Sequence, residues 1–260
     1  VVSVQAAFDG SSALALGNVV GSNISNTALI LGAAALIYPL KAKTQVIRRE
    51  MPIMIAISGV LWLMLLDGGL GRIDGVILTS LAVLYTIFVY YMARKGGAKE
   101  VEEEFAEAVD KPTKHVWLDF VLLGVGILTL VAGAKLLVDG AVAIARLLEI
   151  SEVVIGLSIV ALGTSLPELA TSTVAAYKKE ADMALGNAIG SNISNIALVL
   201  GITALVNPIS GADIRTFDLA MMMGVAIFLW ALLGLRFVLD RLEGFILLIV
   251  YALYIYTLVP

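Results

Sequence analysis

The chain has 260 residues, of which 60% are hydrophobic and 15% charged, against roughly 45–50% and 25% in soluble domains. Its mean hydropathy is +0.99, its formal net charge is −4, and it has no cysteine. These values exclude a disordered chain, an ordinary soluble enzyme, a basic face for nucleic acid, disulfides and thiolate metal sites.

Charge-free runs occupy 10–40, 51–66, 75–93, 120–134, 153–167, 183–212, 219–235 and 244–260. A helix needs about 20 mostly apolar residues to cross the hydrocarbon core, and snorkelling side chains extend the shorter runs. Eight membrane-spanning helices are expected, since lipid cannot satisfy open backbone and no barrel-type alternation is present. The loops give the orientation. Lys41, Lys43, Arg48 and Arg49 follow the first span, and Arg94, Lys95, Lys99, Lys111 and Lys114 follow the third. Lys178, Lys179, Arg236 and Arg241 lie on the same side, so that side carries 13 of the 17 basic residues and is placed in the cytoplasm. The expected location is the cell membrane, multi-pass. Trp62, Trp117, Tyr90, Tyr91 and Tyr256 fit an interfacial aromatic belt.

The chain contains itself twice. Residues 15–32 read ALGNVVGSNISNTALILG and residues 184–201 read ALGNAIGSNISNIALVLG, at an offset of 169. Between 11–40 and 180–209, 17 of 30 positions are identical, and the offset persists where RIDG at 72–75 meets RLEG at 241–244. Such internal duplication is common in transporters. The second copy has two spans, 118–140 and 153–177, ahead of its polar helix, whereas the first has only residues 1–8 there. A complete protein is therefore expected to hold five spans per repeat, in opposite orientations. The chain divides into 1–94 (first repeat, N-terminally truncated), 95–115 (an acidic cytoplasmic loop) and 116–260 (a complete second repeat).

The chemistry concentrates in Gly163-Thr164-Ser165-Leu166-Pro167-Glu168 at mid-span. Pro167 removes a backbone donor and breaks the helix. Carbonyls, two hydroxyls and a carboxylate then converge; these are hard oxygen ligands of the kind Ca²⁺ takes. Glu168 follows a long charge-free run, and an intramembrane carboxylate marks an ion path. Asn18, Ser22 and Asn26 share one helix face, and Asn187, Ser191 and Asn195 repeat the stripe. Ion coordination is the favoured reading of these residues; interhelical hydrogen bonding is the alternative. Gly17, Gly21, Gly186 and Gly190 are assigned to packing. Lys135 and Asp139, one turn apart, are expected to form a local ion pair. His115 is expected to carry no function. The acidic residues Glu100, Glu102, Glu103, Glu104, Glu107 and Asp110 lack a calcium-loop spacing and are read as a solvated linker.

The GTSLPE segment and the doubled GNxxGSN helix resemble the repeats of the cation/calcium exchanger superfamily, most closely its prokaryotic sodium/calcium antiporter branch. REMP at 49–52 and Asp74-Gly75 add to the likeness, which runs along essentially the whole chain. The resemblance implies an all-α membrane protein of ten helices in inverted five-helix repeats, of which this chain holds about eight and a remnant of the second. It implies midplane ligands at the Ala161 carbonyl, Thr164, Ser165, Glu168, Ser191, Asn195, Ser22 and Asn26. The matching first-repeat glutamate would fall just ahead of Val1. At Asn195 some relatives carry aspartate, so the site charge is lower here and potassium coupling is disfavoured.

The implied activity is exchange of Ca²⁺ for Na⁺ by alternating access, with Ca²⁺ and Na⁺ as cargo, the bilayer as partner, and no enzyme activity or cofactor. Two alternatives stand beside it. Glu168 could carry a proton, giving a proton/calcium exchanger, or the chain could be a non-transporting fragment of an exchanger.

Overall fold

The structure is a computed structural model that describes residues 12–95 and 116–258. His115 and the acidic residues from Glu100 to Asp110 lie outside the described residues.

The first polar run forms α1 (Ser12–Ile24), a π-helical turn at Ser25–Ile30 and α2 (Leu31–Ile37), stacked as one span from Ala13 to Ile37. A second π-helical turn, Val46–Glu50, runs directly into α3 (Met51–Met64), with Pro52 just after the π turn. α4 (Arg72–Lys95) and α5 (Val116–Leu147) follow. α6 (Glu152–Ile155), a π-helical turn at Gly156–Val160 and α7 (Ala161–Thr164) run into α8 (Leu166–Tyr177). The second polar run gives α9 (Ala181–Ser194), a π-helical turn at Asn195–Leu200 and α10 (Gly201–Val206). α11 (Thr216–Arg236) and α12 (Arg241–Tyr256) complete the set.

Every span expected from the sequence coincides with a helix. Five helices among the described residues are long and apolar enough to cross a membrane, and the bent pair Val153–Thr164 and Leu166–Tyr177 makes six. Their outward faces carry large apolar side chains, such as Leu63, Leu84, Ile87 and Leu235, all exposed. Lipid, unlike water, accepts that surface. The interior is held by Ile24, Ala28 and Leu31 from the first polar span and Ile193, Ala197 and Leu200 from the second.

Four two-residue strands show which loops share an end. β1 (Leu40–Lys41) pairs antiparallel with β4 (Val238–Leu239), and β2 (Gly69–Leu70) with β3 (Ile209–Ser210). Lys41, Arg236 and Arg241 are thereby gathered at one end, where Lys43 also bridges Asp182 at 3.1 Å. Arg72 and Arg215 lie beside the other ladder. This is the sidedness that the loop charges imply. The span ending before β1 and the span starting at Ala181 therefore run in opposite directions. The sequence offset exchanges the two ladders pair by pair: Leu40 with Leu239 becomes Ile209 with Leu70, and Lys41 with Val238 becomes Ser210 with Gly69. The same operation exchanges two close backbone approaches, Gly32 on Gly244 and Gly201 on Gly75; a Cβ on Gly32 would stand 2.9 Å from the Gly244 carbonyl. The halves are inverted copies in three dimensions as well as in sequence.

Helix starts obey the repeat too. Asp74 accepts from the Gly71 N–H at 2.8 Å, and Glu243 accepts from the Asp240 N–H at 2.9 Å. Each satisfies an orphan donor. At the head of α11, Arg215 donates to both oxygens of the fully buried Asp218, at 3.0 and 2.7 Å, and Tyr254 donates to it at 3.2 Å. These hydrogen bonds to Asp218 raise the Arg215 pKa above its ordinary value.

Two expectations need correction. No ion pair joins Lys135 to Asp139 among the described residues; both side chains are exposed, and at such sites the entropy of holding two mobile chains offsets the attraction. The glycine assignment holds for one copy only. Gly17 and Gly21 lie against the backbone of Val153, Gly156 and Leu157, whereas nothing described lies within 4 Å of a Cβ on Gly186 or Gly190. That face of α9 is covered by no described segment.

Candidate functional site

The two polar spans cross at their middles, where each carries its π-helical turn. A π turn adds a residue to the helical circuit and rotates the residues beyond it about the axis. Asn23 and Asn26 in one span, and Asn192 and Asn195 in the other, are thereby brought into one interface: Asn26 donates to Asn192 Oδ1 at 3.1 Å, and Asn195 donates to Asn23 Oδ1 at 3.1 Å. The repeat maps one bond onto the other.

The broken helix lies against α1 on one side, through α6 to α7, while α8 packs on α9 and on the π turn at Ser25–Ile30. At Ser165 the backbone leaves helical geometry (φ −92°, ψ 0°), and the axis bends by 46°. Pro167 has no N–H to continue the ladder, which resumes with Leu169 donating to the Ser165 carbonyl at 2.9 Å. Glu168 falls in the first turn of α8, where the helix dipole favours a carboxylate.

Thr164 joins the repeats. It donates to Asn18 Oδ1 at 2.9 Å, and its hydroxyl is 3.2 Å from Ser22 Oγ. Both hydroxyls lie 3.3 Å from the Ala161 carbonyl oxygen. Ser22 Oγ, Thr164 Oγ1 and the Ala161 carbonyl oxygen form a compact oxygen triangle. Oxygens that share a cation at roughly 2.3–2.6 Å are about 3.3–3.7 Å apart along the edge of its coordination shell, so the triangle has almost the right size for one face of it. Two further oxygens, Glu168 Oε2 and Asn26 Oδ1, are buried without a hydrogen-bond partner among the described residues. A buried acceptor left unpaired costs on the order of 1–3 kcal/mol, and a bound cation would remove that cost.

The structure thus brings Ala161, Thr164 and Ser22 into direct contact and gathers Asn26 and Asn195 in the adjoining asparagine cluster. Ser165 is buried at the break itself. Ser191 is half-buried and is not drawn into either contact set. Asn187 serves the broken helix, donating to the Glu168 carbonyl at 3.2 Å and to Ser172 at 3.0 Å. No group of three or more His, Asp or Glu side chains that could hold a metal occurs among the described residues, so neutral oxygens around one carboxylate dominate. Asn23, Asn192, Thr27 and Met54 lie outside the polar stripes that residue spacing marks in the sequence. The available signal for the two asparagines is their identity in the two copies of GSNISN.

A profile of the family described as "Sodium/calcium exchanger protein" matches residues 1–91 and 118–259. The chain is 40% identical over 210 residues to the inner membrane protein YrbG of Escherichia coli, covering 80% of this chain and 65% of that protein. It is 38% identical to the putative antiporter CaxA of Alkalimonas amylolytica, covering 99% of this chain and 82% of that one. It is 30% identical to the sodium/calcium exchanger MaX1 of Methanosarcina acetivorans, over 98% of this chain and 83% of the relative. Its fold is similar to a solved structure of the sodium-calcium exchanger NCX_Mj, with a TM-score of 0.75 at 30% identity, covering 98% of this chain and 80% of that one. The profile spans nearly all of the sequence and agrees with the inverted halves and the oxygen-lined break, so the chain belongs to the sodium/calcium exchanger family of multi-pass membrane proteins.

Proposed function

We propose that the protein is a secondary antiporter that exchanges Ca²⁺ for Na⁺ across the membrane, with Ca²⁺ leaving the cell at the expense of the sodium gradient. The observation that carries this reading is the oxygen triangle of Ser22, Thr164 and Ala161, formed between the two inverted repeats, with unpaired buried oxygens on Glu168 and Asn26. Ser165, Ser191 and Asn195 complete the proposed ligand set. Ca²⁺ and Na⁺ are cargo, and the cycle needs no cofactor.

The physical logic of exchange comes from such a site. A carboxylate and several oriented oxygens are costly to carry through low dielectric without a cation. The empty site therefore resists crossing, and each turnover returns with the other ion. Access alternates as one set of helices moves against the other around a fixed midplane site. If more sodium charge enters than calcium charge leaves, the membrane potential adds about 2.3 kcal/mol per charge per 100 mV.

The test uses the protein reconstituted in vesicles, with calcium uptake measured against an imposed sodium gradient and, separately, a pH gradient. Uptake driven by sodium supports the proposal. Uptake driven only by the pH gradient would assign a proton as the counter-ion, and no uptake under either gradient would remove the transport reading.

A further inference from the structure

We propose that Asn23 and Asn192 are positioning residues that fix which way the amides of Asn26 and Asn195 face, so that both ligand asparagines turn their oxygens toward the cation. The assignment rests on the proposed role of Asn26 and Asn195 as ligands. A side-chain amide has a donor end and an acceptor end of nearly equal shape. Only the oxygen end can serve a cation; a flipped amide would present its N–H groups instead. Something must choose between the two orientations.

Two relays make that choice, and each starts at an atom that cannot donate. In the first, the Met54 thioether has no hydrogen to give. Asn192 Nδ2 is 3.4 Å from Met54 Sδ and donates to Thr27 Oγ1 at 2.8 Å. The Asn192 amino group is thereby committed to that side, and its oxygen is left for Asn26 Nδ2 at 3.1 Å. Asn26 Oδ1 then faces away from this pair, buried and unpartnered among the described residues.

In the second relay, the starting atom is the backbone carbonyl oxygen of Asn192. Asn23 donates to it at 3.2 Å. The Asn23 oxygen accepts from Asn195 Nδ2 at 3.1 Å, which turns Asn195 Oδ1 away as well. Asn23, Asn26 and Asn192 are buried, so water does not compete freely for these bonds. The relays are related by the repeat at their ligand ends and differ at their sources. Thr27 in the first copy is Ile196 in the second, so Asn23 has no matching hydroxyl and uses a main-chain acceptor instead.

The test is equilibrium binding of calcium to the purified full chain in detergent, with Asn26→Ala, Asn192→Leu, the double variant and Met54→Leu. Asn26→Ala is expected to weaken binding about tenfold, as loss of one charge-assisted contact does. Asn192→Leu is expected to weaken it by a similar factor, and in the Asn26→Ala background to add less than about twofold, because it acts through Asn26. Met54→Leu conserves volume but frees Asn192 to turn. It should weaken binding by about twofold, the factor that halving the competent population produces, with an unchanged melting temperature in chelator. If Asn192→Leu does not fold, Met54→Leu alone decides. Wild-type affinity in Asn26→Ala would defeat the ligand reading. A weakened Asn26→Ala beside full affinity in Asn192→Leu or Met54→Leu, or additive losses in the double variant, would overturn the relay.

Discussion

Ser22 Oγ and Thr164 Oγ1 stand 3.2 Å apart, although 142 residues separate them in the chain. One comes from the polar span of the first repeat and the other from the broken helix of the second. The contact is therefore where the two inverted halves meet through hard oxygen atoms.

Replacing Thr164 with Val keeps the shape and removes one oxygen of the triangle together with the donor to Asn18. The expected cost is about 1–3 kcal/mol, read as a roughly tenfold rise in the calcium KM of reconstituted protein. Thr164→Ser retains the hydroxyl and should retain most of the affinity.

Gly21 is a packing residue. A Cβ there would come within 2.7 Å of Ala161 Cβ and 2.8 Å of the Leu157 carbonyl carbon. Gly21→Ala should lower stability by about 1–3 kcal/mol through overpacking. Gly224, mid-helix in α11 with nothing described within 4 Å, is the control. Gly224→Ala should be neutral or stabilise by up to about 1 kcal/mol. Thermal unfolding in detergent distinguishes the two.

Asn195→Asp adds charge to the proposed site but removes the donor to Asn23 Oδ1. Without a cation, two acceptors then face each other. The variant should melt below wild type in chelator and show a larger calcium-induced rise in melting temperature.

Arg215→Ala leaves the buried Asp218 without its bidentate partner. Asp218 keeps the residue-215 backbone N–H and the Tyr254 hydroxyl, and losing the guanidinium costs about 1–3 kcal/mol, so a drop in melting temperature is expected. Arg215→Lys should recover only part of it, since an ammonium lacks the planar fork that reaches both Asp218 oxygens.

Much of the architecture was legible because apolar run length and loop charge are one-dimensional properties. The offset that aligns Gly75 with Gly244 marks the duplication, an odd number of spans per copy predicts inverted halves, and the two strand ladders obey the offset residue by residue. Thr164, Pro167 and Glu168 stood out because polar and helix-breaking groups are costly at mid-span. Asn23 and Asn192 did not. They lie off the four-residue stripe of Asn18, Ser22 and Asn26, and their place is decided by the π turns and by where two spans cross, neither of which the residue spacing records. Met54 was invisible for a different reason: its thioether acts only as the acceptor end of a relay, a role that no sequence pattern marks. The Lys135–Asp139 pair failed in the opposite direction, since spacing of one turn permits an ion pair without providing the burial that would hold it.

The most direct test of the central claim is sodium-driven calcium uptake by vesicles carrying wild-type protein or Glu168→Gln, which keeps the shape and removes the charge. Uptake in the wild type that falls to background in Glu168→Gln, with both proteins equally folded, is the predicted result. Wild-type uptake rates and calcium KM in Glu168→Gln would contradict the claim that this carboxylate anchors the transported ion.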